Sequence, residues 1–142
     1  VGAALTADAS CELIADNHHV HPALYDLVWR QKTWDVCLVT DCLSAADSPD
    51  GSGVLGGQSI AVEGGVCRLP DGTLAGSTLR LWEAVHNLYT HSHIPLWECV
   101  NCATLNPATV LGLVDKGSLE AGKDADILIT DRDFRPVKKR QA

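Results

Sequence analysis

Two apolar runs in this chain end abruptly in groups able to carry protons or hold a polar ligand. Leu38-Val39-Thr40 runs into Asp41, and Leu13-Ile14-Ala15 runs into Asp16-Asn17-His18-His19. Carboxylates and imidazoles delivered at the ends of consecutive buried strands outline a hydrolase site of the kind built at the strand tips of a (β/α) barrel. On periodicity alone Asp41 is equally well a catalytic carboxylate or an aspartate that caps a helix or anchors a loop. His18 and His21 invite a metal-cluster reading, but neighbouring histidines on a strand point to opposite faces, so they are not expected to be ligands. His91 and His93 fall in a connection between helices and are expected to be exposed.

The elements that must position these groups follow from the surrounding pattern. Pro22 to about Thr33 reads as the crossover helix between two parallel strands, with proline at its first position and Leu24, Leu27 and Val28 on one face. Ser44 to Gly57 is rich in Ala, Asp, Ser, Pro and Gly and reads as a loop. Ser59–Val62 and Val66–Leu69 flank Glu63-Gly64-Gly65 and predict a hairpin. Gly72 to Ser77 reads as a small-residue loop, followed by a helix over 78–89 with Leu81, Val85 and Leu88 inward. A further helix starts near Pro95 with Leu96, Cys99, Val100 and Ala103 inward. Asn106 is expected to cap a short helix that has Pro107 at its first position and stops at Gly112. Asp126–Thr130 predicts a last strand, and Val137–Arg140 reads as a solvated basic end.

Composition narrows the function classes. The chain has 142 residues and 46% hydrophobic content, enough for a real core but short of the roughly 250 residues a closed (β/α) barrel needs. It contains no methionine and opens on Val1-Gly2-Ala3-Ala4, which reads as a chain lacking its N-terminal portion. A net charge of −7 argues against nucleic-acid or anionic-membrane partners. No run approaches the ~18 apolar residues needed to span a bilayer. The six cysteines show no framework spacing and read as free, mostly buried thiols of a reducing, cytoplasmic setting. Cys99-Val100-Asn101-Cys102, the one CxxC, reads as helix packing rather than a zinc or redox motif.

Ala15-Asp16-Asn17-His18-His19-Val20, Leu38–Asp41, Asp71–Ser77 and Ala103–Ala108 occur in a familiar order, and Lys116–Asp126 follows them. With these motifs the whole chain resembles the C-terminal part of the N-acetylglucosamine-6-phosphate deacetylase family of the amidohydrolase superfamily. The resemblance implies an α/β fold: the C-terminal portion of a metal-dependent-hydrolase TIM (β/α)8 barrel over residues 1–113, with an inserted hairpin at about 58–70. Residues 114–142 would return into a small β-sandwich domain. It implies release of acetate from N-acetylglucosamine 6-phosphate, with Asp41 as the catalytic carboxylate, taking a proton from metal-bound water and returning it to the leaving amine. Asp16, Asn17, His18 and His19 would line the sugar side, and Leu74, Ala75, Gly76 and Ser77 would close over it. Asn17 stands where the family usually has glycine, and His18 where it usually has an aliphatic residue.

The divalent metal, zinc or iron, is expected to be held by ligands upstream of Val1, with none assigned in this chain. The chain alone is therefore expected to be inactive. The implied ligand is a small amino-sugar phosphate, and the open strand edges point to a homo-oligomer or self-association. Another amidohydrolase chemistry, or a non-catalytic domain binding a sugar phosphate or a partner, remains the alternative.

Overall fold

The computed structural model describes residues 2–140, which divide into two compact units: the chain up to Val39 with Leu81 onward, and Thr40–Arg80. In the first unit a short helix α1 (Gly2–Thr6) precedes strand β1 (Cys11–Ile14). A 3₁₀ turn at Pro22–Leu24 leads into helix α2 (Tyr25–Lys32), and strand β2 (Val36–Val39) follows. The two strands pair in parallel with Leu13 opposite Leu38. The strand–helix–strand reading therefore holds; the apolar run of β2 is buried over Val36–Leu38, as suits a strand covered on both faces, whereas β1 buries Leu13 and exposes Glu12.

The helix presents a different face from the one expected. Leu24 and Leu27 are exposed, and Tyr25, Val28 and Lys32 are buried. These three follow the i, i+3, i+7 spacing of a single helical stripe. Lys32 is tolerated inside because its ammonium donates to the Ala9 carbonyl at 2.8 Å and also to the Ala7 carbonyl. A buried cation needs such partners.

The second unit is built on a four-stranded antiparallel sheet in chain order: β3 (Ser52–Leu55), β4 (Gln58–Glu63), β5 (Val66–Arg68) and β6 (Leu74–Ser77). The expected hairpin is its β4–β5 centre, turned by Gly64 and Gly65, both at positive φ. Two segments read as loops belong to this sheet. Ser52–Leu55 is an edge strand whose side chains are mostly exposed, so burial imprints no alternation on it. Asp50 starts it by accepting from Ser48 Oγ at 2.6 Å, Ser52 N at 3.1 Å and Ser52 Oγ at 2.8 Å. Leu74–Ser77 is likewise a strand rather than a loop, and its small residues fit against Leu43 and the core of Ala45, Ile60 and Cys67.

Back in the first unit come α3 (Leu81–Thr90), α4 (Leu96–Asn101) and α5 (Leu105–Val110). Ala84, Val85 and Leu88 are the buried side of α3, whereas Leu81 is exposed. On α4 the inward residues are Glu98 and Cys99, with Cys102 just beyond; Leu96 and Val100 face outward. That stripe is rotated from the expected one, and burial pushes the Glu98 carboxyl above its usual range. All six cysteines are free; Cys99 and Cys102 are fully buried, and burial raises both thiols to about 12.

Asn106 is not the cap of α5. Thr104 holds that place, and the Asn106 amide turns inward to donate to the Val36 carbonyl at 2.8 Å. Gly112 stops the helix at φ +69. The chain ends in an antiparallel pair, β7 (Ile127–Thr130) and β8 (Pro136–Arg140), so the basic tail read as a solvated end is a strand. Val137 is 67% exposed, and a strand solvated on both faces leaves no period-2 signal. Among the described residues no helix is long and apolar enough to cross a membrane.

Candidate functional site

The turn after β1 is organised by Asp16. Its residue is 8% exposed, and its two carboxylate oxygens accept three N–H groups. Oδ1 takes the backbone N–H of His18 at 2.9 Å and of His19 at 2.8 Å, and Oδ2 lies 2.7 Å from His19 Nδ1. Burial pushes the Asp16 carboxyl upward, but the hydrogen bonds from His19 and His18 outweigh it and hold the group below its ordinary range. His18 and His19 do not continue the strand, so strand alternation does not orient them. The Asx-type turn does, leaving His18 exposed and His19 half-buried.

Asn17 adopts a left-handed conformation with φ +67, which glycine adopts freely and asparagine tolerates better than most residues. This accounts for asparagine at a place where the resembled family usually has glycine. Its side chain is also used: Tyr25 OH donates to Asn17 Oδ1 at 3.0 Å and accepts the Asn17 N–H at 3.2 Å. Burial raises the Tyr25 phenol to about 12, so it remains a donor at neutral pH. Asn87 on α3 donates to the Ala15 carbonyl at 2.8 Å and supports the same turn from below. Tyr25 and Asn87 were not anticipated; each is a polar-tipped residue beside an apolar helical stripe, the only local signal they carry.

In the other unit, Asp41 begins the excursion to the sheet. It is exposed and has φ +50, a left-handed value uncommon for a residue with a side chain. Ser77 clasps it in place. The Ser77 N–H donates to the Asp41 carbonyl at 2.8 Å, Ser77 Oγ donates to the Thr40 carbonyl, and the Leu43 N–H returns to Ser77 O at 3.1 Å. Ser77 Oγ also accepts from Leu79 N at 3.0 Å. Gly76 is required by the same clasp: a Cβ there would lie 2.8 Å from Leu43 Cγ and 3.0 Å from the Asp41 carbonyl oxygen.

Each unit thus gathers its own candidates. Asp16, Asn17, His18 and His19 form one turn, and Asp41 is fastened to Gly76 and Ser77. Leu74 and Ala75 lie further back on β6, with Ala75 packed on the sheet's core. Among the described residues no three His, Cys, Asp or Glu side chains converge as a metal-holding group. His21 instead accepts the Ala23 N–H at 3.2 Å at the start of the 3₁₀ turn, and exposed His93 pairs with Asp26 at 2.6 Å.

The chain belongs to the amidohydrolase family, whose model matches residues 3–141. It is 42% identical over 133 residues to a putative N-acetylgalactosamine-6-phosphate deacetylase of Escherichia coli (strain K12), covering 92% of this chain and 80% of that one. It is 38% identical over 140 residues to the N-acetylglucosamine-6-phosphate deacetylase of Bacillus subtilis (strain 168), covering 96% of this chain and 35% of the relative.

Among solved structures, the N-acetylglucosamine-6-phosphate deacetylase of Pasteurella multocida superposes with a TM-score of 0.94 at 32% identity, covering 99% of this chain and 38% of that one. A mutant of the Mycobacterium smegmatis enzyme in complex with N-acetyl-D-glucosamine-6-phosphate gives a TM-score of 0.86 at 31% identity, covering 93% and 36%. The chain therefore spans little more than a third of these last three relatives.

Proposed function

We propose that this chain is part of an amidohydrolase that removes the acetyl group from N-acetylglucosamine 6-phosphate, leaving glucosamine 6-phosphate and acetate. The observation that carries the reading is Asp41: an exposed carboxylate just beyond a parallel strand, on a left-handed residue held by Ser77. Strained backbone that the surrounding structure over-determines clusters at functional sites.

In this reaction Asp41 takes a proton from the attacking water and delivers it to the amine as the C–N bond breaks. Asp16 to His19 hold the sugar phosphate, and Leu74 to Ser77 border it. The residues described here do not fit a metal, since the Asp16 oxygens already accept three N–H groups and no other set converges. The zinc or iron expected of such an enzyme would be held by other residues. On this reading residues 1–113 belong to the barrel, 114–142 to the small sandwich domain, and the enzyme works in the cytoplasm as a homo-oligomer. The 42% identity to proteins named for the galacto epimer favours N-acetylgalactosamine 6-phosphate as the second substrate to consider.

The test is acetate release from both epimers by the complete enzyme, before and after Asp41→Asn. The variant is expected to keep its fold and metal content while losing roughly 10²-fold or more in turnover. Near-normal turnover by the folded variant would remove Asp41 from the mechanism. Faster release from the galacto epimer would reassign the substrate.

A further inference from the structure

We infer that Tyr25 is a positioning residue: it turns the Asn17 side-chain amide so that its NH₂ group is presented as a hydrogen-bond donor to an oxygen of the sugar phosphate. The inference rests on the proposed role of the Asp16–His19 turn in binding that ligand. It gives one atom of the turn a direction and a chemistry.

Tyr25 is fully buried, and its phenol oxygen meets Asn17 twice. It accepts the Asn17 backbone N–H at 3.2 Å and lies 3.0 Å from the end of the Asn17 side chain. A phenol carries a single hydrogen, and the backbone N–H brings its own. The phenol hydrogen therefore goes to the side chain, which must answer with an acceptor. The only acceptor of an asparagine amide is Oδ1, so Oδ1 faces the phenol. With NH₂ there instead, the buried phenol hydrogen would be left without a partner, a costly arrangement.

Fixing Oδ1 fixes the other arm of the planar amide. Nδ2 points away from the phenol and has no hydrogen-bond partner among the described residues. The one buried side-chain nitrogen or oxygen without a partner among those residues is Glu98 Oε2, so Nδ2 reaches the surface of a half-buried residue. The backbone beneath is held as well, with Asn17 at φ +67 and the preceding Ala15 carbonyl bonded to Asn87. The turn follows β1 at its C-terminal end, the end of a parallel strand pair at which ligands bind. An accessible donor with no acceptor of its own suits a phosphoryl or hydroxyl oxygen there. Glycine at this position could offer no such group.

The experiment is calorimetric binding of glucosamine 6-phosphate to the complete enzyme, with the fold of each variant checked by thermal unfolding. Asn17→Gly keeps the left-handed backbone and removes the donor. It should weaken binding about 10-fold, the scale of one hydrogen bond to a ligand oxygen. Asn17→Asp keeps an acceptor for Tyr25 and a residue type that tolerates this φ, but sets an anionic oxygen where the NH₂ stood. It should bind more weakly still. A side chain that only braces the turn predicts the reverse order, because aspartate still accepts from Tyr25 and glycine does not. Tyr25→Phe should also weaken binding, and combined with Asn17→Gly it should cost less than the sum of the two losses. Unchanged affinity in folded Asn17→Gly would overturn the inference, whether or not the aspartate variant folds. So would the reverse order, or additive losses in the double variant. An unaltered enzyme that does not bind glucosamine 6-phosphate would overturn the proposed function as well, whereas binding indifferent to Asn17 overturns this inference alone.

Discussion

The buried Asn106 side chain donates to the carbonyl of Val36 at 2.8 Å, fastening helix α5 to the first residue of strand β2. The pair is 70 residues apart in sequence, and it is reinforced by the Leu38 N–H donating to the Cys102 carbonyl at 2.7 Å. Two polar contacts, rather than apolar packing alone, thus set the height of the α4–α5 segment on the strand that leads to Asp41.

Asn106→Ala should therefore destabilise the chain by about 1–3 kcal/mol, the cost of leaving a buried acceptor without its donor. Urea unfolding of the two proteins measures it. A change within a few tenths of a kcal/mol would mean that the Val36 carbonyl finds another donor.

Gly76→Ala places a Cβ against Leu43 and the Asp41 carbonyl at 2.8–3.0 Å, on a residue with φ +155. The expected cost is about 1–3 kcal/mol for overpacking, with loss of turnover in the complete enzyme because the Asp41 backbone must yield. Normal stability together with normal activity would show that β6 has slack the structure does not display.

His19→Ala should impair turnover far more than His18→Ala. Both backbone N–H groups reach Asp16, but only the His19 ring does, and His18 stands exposed. Steady-state rates for the two variants decide it. Equal losses would mean that His18 also reaches the ligand.

Thiol alkylation of the native chain should modify Cys11 and Cys42, the two partly exposed cysteines, well before Cys99 and Cys102. The last two are wholly buried, with thiols raised to about 12, and the thiolate is the reactive form. Mass spectrometry after brief labelling reads the order. Early modification of Cys102 would contradict the packing of α4.

These residues also show where sequence reasoning reached and where it stopped. Strands β1 and β2 were legible because apolar runs ending in Asp need no partner to be recognised. The β4–β5 hairpin was legible from two adjacent glycines. Strands β3 and β8 were not, because burial imprints no period on solvated strands such as those holding Val54 and Val137, 66% and 67% exposed. Helix faces were misjudged where a polar residue turns inward: Lys32 and Glu98 occupy the buried stripes of α2 and α4, and Asn106, expected as a cap, is buried as well. In the His-bearing turn the cluster itself was visible, but its supports, Tyr25 and Asn87, depend on contacts that no local pattern encodes.

The clasp between Asp41 and Ser77 closes a loop of chain that contains all four strands of the second unit. The geometry at Asp41 is set where that loop is tied, at Thr40, Asp41, Leu43, Gly76 and Ser77, and not by the turns further out. Closing a longer loop costs little, about 0.6 kcal/mol for each doubling of its length. Lengthening or shortening the distal turns, such as Gly56-Gly57 or Gly64-Gly65, therefore costs little and leaves the tied backbone at Asp41 where it is, which makes these turns the natural places to splice in extra chain.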